Sequence, residues 1–327
     1  MRIIDMHCDT LLECYTKKEP LRKNALSVDL ERMKNNGALI QFFAIFLMPS
    51  GWSDDEGDDC NDISSQANDA YERFLRIYDF YEQELNKNDD IIGRVLTYDD
   101  ILENERKHKM SSLLAIENGE LLYDDIDRLD ALYEKGVRLI TLTWNGENSI
   151  GYPNSLDAKE HLRGLKPFGI EAVKRMNQLG IIIDVSHLSE GGFYDVAKYS
   201  TKPFVASHSC ARALCNNQRN LTDEQLKCIA EHDGVVGVNF YAPFLKENSD
   251  YSKTDDILEH MKYMISVMGD DHVAIGSDFD GIDCGVEISD YGRFGQLVER
   301  MNKEFSEETV RKICYENAQR VLKACLK

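Results

Sequence analysis

Positive charge is what this sequence most lacks. In 327 residues, 38 lysines and arginines face 58 aspartates and glutamates, a formal net charge of −20. That argues against nucleic acid as a partner, because phosphate binding needs a basic footprint, and against an anionic membrane surface. Paired cysteines are missing as well. The nine cysteines are odd in number, scattered, and form no CxxC pair, which fits free thiols in a reducing cytosol better than a disulfide framework. No apolar run reaches membrane-spanning length, no secretory leader opens the chain, and no lipid-anchor tail closes it. A cytoplasmic protein is therefore expected. Repeats, low-complexity tracts and long linkers are absent too, and hydrophobic content of 43% is ample for a large core.

What is present is alternation. Apolar, β-branched and aromatic runs read as strands at Arg2–Met6, Ala38–Leu47, Ser112–Ile116, Val137–Thr143, Ile181–Val185, Phe204–Ser207, Val235–Asn239 and Val273–Gly276. A short segment at Arg94–Thr97 stands apart from these. Helical spacing or caps fall between the strands: from Ser27 or Asp29 to Asn35, over Asp62–Leu85, from about Asp99, over Asp127–Lys135 and Pro167–Leu179, and from Ser189. They recur at Thr222–His232 with a Thr-x-x-Gln capping box, at Thr254–Met268 and at Glu307–Leu326. The acidic stretch Pro49–Asn61 and the polar stretch Trp144–His161 read as loops. Strand–helix alternation demands parallel strands and right-handed crossovers. The expected fold is a single (β/α)8 TIM-type barrel domain over residues 1–327. A doubly wound open sheet is the alternative, but no glycine-rich phosphate fingerprint follows the first strand to support it.

Residues with metal or acid–base chemistry recur at one point of the cycle, the end of a strand: His7 and Asp9, Glu117, His187, His208 and Asp278. In a barrel all of these lie on the C-terminal face, where active sites sit. A lone histidine there is more often a hydrogen-bonded structural residue than a ligand, and a lone carboxylate is often a helix cap. Asp280 and Asp283 are read in that way. Three histidines and three carboxylates on one rim are harder to assign to chance. Five ligands are also too many for one tetrahedral zinc. Divided as His7/Asp9 and His187/His208, with Glu117 bridging, they make two sites at the roughly 3.5–4 Å spacing of two-metal hydrolases, where a shared water would reach a pKa of about 7. Asp278 is left as the unshared carboxylate, a proton acceptor and then donor.

These residues carry a resemblance. Asp5-x-His7-x-Asp9-Thr10, Glu117 with Gly119, Asp184-Val-Ser-His187, Ser207-His208-Ser209, Arg219-Asn220, Asn239-Phe-Tyr241 and Gly276-Ser-Asp278-Phe-Asp-Gly281 stand in an order that resembles the membrane (renal-type) dipeptidases, zinc peptidases of the amidohydrolase-like barrels. The resemblance implies a binuclear zinc site, with His7 and Asp9 on one metal, His187 and His208 on the other, and Glu117 between them. It implies Asp278 as the acid–base residue, and Arg219 as the group that binds the carboxylate of a dipeptide. A guanidinium beside the metals can take a carboxylate in a two-bond fork. Two positions depart from the family. Trp144 stands where relatives have a histidine that stabilises the oxyanion, leaving that task to a metal or Asn145, and Phe244 stands where they have a tyrosine. Trp144 and Asn145 are expected beside the substrate, and a homodimer is expected by resemblance. The expected activity is zinc-dependent hydrolysis of dipeptides. The alternatives are the same barrel acting on another amide, a lactone or an ester, or a metal- and peptide-binding protein without turnover.

Overall fold

The structure is a computed structural model that describes residues 1–48 and 69–327. The acidic stretch Pro49–Asn61 and the start of the helix expected from Asp62 lie outside the described residues. The strands are β1 (Ile3–Cys8), β2 (Ala38–Phe46), β3 (Ile92–Arg94), β4 (Met110–Glu117), β5 (Val137–Thr141), β6 (Ile182–Asp184), β7 (Val205–Ser209), β8 (Val235–Val238), β9 (Tyr251–Ser252), β10 (Val273–Ile275) and β11 (Gly285–Val286). Around the main sheet the order is β2-β1-β10-β8-β7-β6-β5-β4, and pairing of β2 with β4 joins its two ends. Every pairing is parallel, for example Phe43 opposite Leu114 and Ile45 opposite Ile116 at the closure. The result is a closed (β/α)8 barrel.

Period-two alternation splits the strand residues into two sets. Ile4, Phe42, Leu113, Leu139, Ile182, Val205, Val235 and Ala274 pack together as one apolar group. Ile3, Phe43, Leu114, Ile140, Ile183, Ala206, Val236 and Val273 belong to a larger cluster with the helical residues Phe74, Leu129, Val173, Phe193, Leu226 and Met261. Both faces of each strand are therefore apolar, which is why the runs read as continuous rather than alternating.

The helices follow their caps. Asp29 accepts from the Arg32 backbone N–H at 2.7 Å, so that helix starts at Leu30 rather than in the Leu26–Ser27 stretch. Ser189 caps Glu190–Tyr199, and Thr222 with Gln225 completes the capping box. Pro167 opens and Gly180, at φ 90°, closes Pro167–Leu179. The structure corrects four expectations. β3 covers Ile92–Arg94, not Arg94–Thr97, and pairs with the N-terminal half of β4 on the edge that β5 takes further up. A helix at Thr10–Lys17 follows β1 directly, and another lies at Phe294–Glu304. The stretch read as the loop Trp144–His161 ends in a short helix, Ala158–His161. No helix of the described residues is long and apolar enough to cross a membrane.

Candidate metal centre

Six residues from five strand ends meet at the C-terminal mouth of the barrel. His7 lies inside β1 and His208 inside β7, while Glu117 is the last residue of β4. Asp9 opens the helix Thr10–Lys17. His187 and Asp278 stand in the turns after β6 and β10 with φ of 66° and 61°. Left-handed backbone is uncommon outside glycine and concentrates at functional sites.

The distances define two subsites sharing one carboxylate. On one side, Glu117 Oε1 lies 3.0 Å from His187 Nε2 and 3.4 Å from His208 Nε2, and the two imidazole nitrogens are 3.2 Å apart. With metal–nitrogen bonds near 2.0–2.1 Å, neighbouring ligand atoms on a tetrahedral zinc stand roughly 3.4 Å apart. On the other side, His7 Nε2 faces Asp9 Oδ2 at 3.4 Å, Glu117 Oε2 at 3.5 Å and Asp278 Oδ1 at 3.7 Å. His7 stands at the junction: its ring lies 3.8 Å from that of His208, and it shares ligand-atom groups both with Glu117 and His208 and with Asp9 and Asp278.

These residues fit divalent metal. Among the described residues, neither ring nitrogen of His7 has a hydrogen-bond partner, nor has Asp9 Oδ1, although all three atoms are buried. Buried polar atoms are seldom left so. Gly281 walls the same pocket, where an added Cβ would stand 2.0 Å from Asp9 Oδ2 and 2.9 Å from Asp278 Oδ1. The electrostatics agree. Burial pushes Glu117 up to about 7, helped by Asp9, and raises the Asp278 carboxyl despite the opposing pull of His7. Carboxylates so crowded gain most from a cation placed among them. Burial disfavours charge on all three histidines. For His187 and His208 it holds the ring well below its usual value, with Arg219 adding to the effect. For His7 the carboxylates of Asp9 and Glu117 outweigh burial and raise it.

The surroundings fix the remaining candidates. Asn239 Nδ2 donates to Asp278 Oδ2 at 2.8 Å, leaving Oδ1 towards His7. Arg219 is buried, and its terminal nitrogens donate to Ser209 Oγ at 2.8 Å and His208 O at 2.9 Å. Its Nε has no partner among the described residues, and its Cζ lies 5.6 Å over the Phe244 ring. Trp144 packs 4.9 Å from Phe46 and 6.2 Å from His187. Asn145 Oδ1 faces His187 Nδ1 at 3.2 Å, so its amide oxygen supports that imidazole. Asp280, read as a turn or cap residue, accepts from Thr10 Oγ1 at 2.6 Å and the Ser27 N–H at 2.7 Å, tying the loop after β10 to the segment after β1. The sequence reading gave no role to Asn239, Gly281, Asp5 or Asp184, although the Asp5-x-His7 and Asp184-x-x-His187 spacings carried a signal.

A parallel barrel that gathers imidazoles and carboxylates at its strand ends has the frame of a metal-dependent hydrolase. Residues 1–326 match the family model of membrane dipeptidase, peptidase family M19. An uncharacterized protein in the pqqA 5′ region of Klebsiella pneumoniae is 40% identical over 234 residues, 68% of this chain and 85% of its own. An uncharacterized dipeptidase of Schizosaccharomyces pombe is 36% identical over 193 residues, 58% of this chain and 46% of its own. Among solved structures, a metallo peptidase from Rhodobacter sphaeroides, liganded with a phosphinate mimic of the dipeptide L-Ala-D-Ala, superposes with a TM-score of 0.87 at 28% identity, covering 99% of both chains. The chain belongs to the membrane dipeptidase family, M19, and is a metallodipeptidase.

Proposed function

We propose that this metallodipeptidase works with two zinc ions, His7 and Asp9 holding one, His187 and His208 the other, and Glu117 reaching both. The observation that carries this reading is the split of Glu117: Oε1 faces the two imidazole nitrogens at 3.0 and 3.4 Å while Oε2 faces His7 at 3.5 Å. Zinc bound there would lower the pKa of water toward about 7 and polarise the amide carbonyl. Asp278 takes the proton of the attacking water on Oδ1 and delivers it to the leaving amine, while Asn239 holds Oδ2 in place. Arg219 binds the C-terminal carboxylate of the substrate. Ser209 and His208 occupy only part of its five-donor set, and a buried guanidinium with Nε unpartnered is suited to a carboxylate. Trp144 lines the substrate beside Phe46. The dipeptide mimic held by the Rhodobacter sphaeroides protein supports a dipeptide as substrate. A reducing compartment is the location we infer, supported by eight free cysteines among the described residues.

The test is to strip the protein of metal, titrate zinc back, count it per chain, and follow cleavage of a dipeptide, its C-terminal amide, and a small ester and lactone panel. We expect cleavage to return as the zinc count reaches two, and the amide, which lacks the carboxylate, to be cleaved far more slowly. Turnover of the amide at the dipeptide's rate would remove Arg219 from substrate binding. A chain that retains no stoichiometric zinc would overturn the ligand assignment.

A further inference from the structure

Below the rim, one hydrogen-bonded device is built twice. Asp5, on β1, accepts from the Ser277 N–H at 2.8 Å on Oδ1, and from Ser277 Oγ at 2.7 Å and Gln41 Nε2 at 3.2 Å on Oδ2. Asp184, on β6, accepts from the Ser207 N–H at 2.8 Å on Oδ1, and from Ser207 Oγ and Thr141 Oγ1 at 2.6 Å each on Oδ2. Each carboxylate thus sits on the middle element of a run of three, β2–β1–β10 or β5–β6–β7. All six side chains are fully buried. Each serine immediately precedes a residue of the metal centre, Asp278 or His208.

The two copies differ in the third side chain, Gln41 against Thr141, in a Ser186 N–H that Asp184 Oδ1 also accepts at 3.0 Å, and in what the serine hydroxyl meets. Ser277 Oγ otherwise meets only backbone, His7 O at 3.3 Å and the Phe279 N–H at 3.2 Å. Ser207 Oγ instead lies 2.7 Å from His208 Nδ1. A serine hydroxyl has one hydrogen, and a carboxylate can only accept. Ser207 therefore donates to Asp184 and turns a lone pair to His208, and that lone pair requires a hydrogen on Nδ1. The hydrogen on Nδ1 leaves Nε2 as a bare lone pair aimed at Glu117 and His187.

We propose that the Asp184–Ser207 pair positions His208, presetting the Nδ1–H tautomer and aiming Nε2 at the metal before any metal arrives. The part concerning zinc rests on His208 being a ligand; the part concerning the tautomer does not. His187 gets weaker support, from the neutral amide of Asn145, which sits at the exposed rim. His7 gets none on either nitrogen among the described residues. A carboxylate reaching a ligand histidine through a hydroxyl raises ligand basicity as well as fixing the ring, and loss of such a partner typically weakens metal binding about 10–100-fold.

The test uses the full chain with 15N-labelled histidine, stripped of metal, in long-range 1H–15N spectra assigned with the H208Q variant. We expect the hydrogen of His208 on Nδ1 without metal. Asp184→Asn reverses the chain of donors: its amide can donate to Ser207, whose hydroxyl then points at Nδ1 and drives the hydrogen to Nε2. Zinc affinity at one of the two positions should then fall about 10–100-fold with the other unchanged, and Ser207→Thr, which keeps the hydroxyl, should stay within a few-fold of the parent. Thr141→Val removes a donor to the same carboxylate without touching the relay and should leave both zinc affinities unchanged. A His208 carrying its hydrogen on Nε2 in the parent protein would overturn the proposal even if Asp184→Asn fails to fold. So would a folded Asp184→Asn that binds zinc as Thr141→Val does, which would reduce the pair to a strand clasp like Asp5–Ser277. A parent chain that binds no zinc would instead sink the metal assignment and leave the tautomer result standing.

Discussion

The β1–β10 side of the rim and the β6–β7 side bury the same residue type to the same depth and treat it in opposite ways. His7, His187 and His208 are all enclosed, and burial works against charge on each. On the first side Asp9 and Glu117 reverse that effect for His7. On the second side Arg219 reinforces it for His187 and His208. Burial thus sets the direction for His187 and His208, and for His7 the neighbouring carboxylates overturn it. One side offers oxygen donors around a single imidazole that no hydrogen bond holds among the described residues. The other offers two neutral imidazoles, each with a partner on Nδ1. The proposed metal positions should accordingly differ in what sustains them: electrostatic attraction to carboxylates at one, aimed nitrogen lone pairs at the other.

Glu117 turns one carboxylate oxygen to each side, so changing it gives the largest effect and does not discriminate between them. Glu117→Gln is expected to weaken both zinc positions together and to lower kcat/KM by on the order of 10³-fold or more, because several kcal/mol of transition-state stabilisation is lost with the metals. The measurement is zinc content and turnover of the same preparation. A variant that loses one zinc and keeps the other would show that Glu117 serves a single position. Asp278→Asn comes next and separates proton transfer from metal binding. Both zincs are expected to stay and kcat to fall about 10²–10⁴-fold. Loss of a zinc in that variant would make Asp278, 3.7 Å from His7 Nε2, a ligand first.

The eight barrel strands were legible in the sequence because strands buried on both faces are unbroken apolar runs, as in Ala38–Phe46. The six residues of the centre were legible because their spacing from those runs puts them on one face of a barrel. The helix Thr10–Lys17 was not legible, and the reason is physical. Its N-cap residue is Asp9, which makes no capping bond and turns its carboxylate to His7 instead, so the local start signal was diverted to the site. Phe294–Glu304 is different: Phe294, Leu297, Val298 and Met301 carry a full helical stripe that the sequence itself displays. Asp5 and Asp184 could not be assigned from sequence, since their role depends on which strands lie side by side. Asp184 is joined to Thr141 and Ser207 only by barrel neighbourhood.

The smallest predicted effect is the most selective. Gly281 lies in the loop after β10 with no left-handed φ to favour glycine, so only the space for a side chain is at issue. A methyl group there meets Asp9 Oδ2 at 2.0 Å and Asp278 Oδ1 at 2.9 Å, and real Cβ atoms do not approach oxygen so closely. Gly281→Ala must therefore move Asp9, while His187 and His208 lie on the opposite strands and keep their Nδ1 partners. The expected outcome is a roughly 10-fold weaker zinc at the His7–Asp9 position, in line with other changes beside a metal ligand, and an unaltered one at the His187–His208 position, read by competition with a chelator. Asp184→Asn should show the mirror image. If Gly281→Ala weakens both positions equally, the two sides behave as one cooperative site through Glu117, and the contrast between carboxylate-held and imidazole-held metal does not survive.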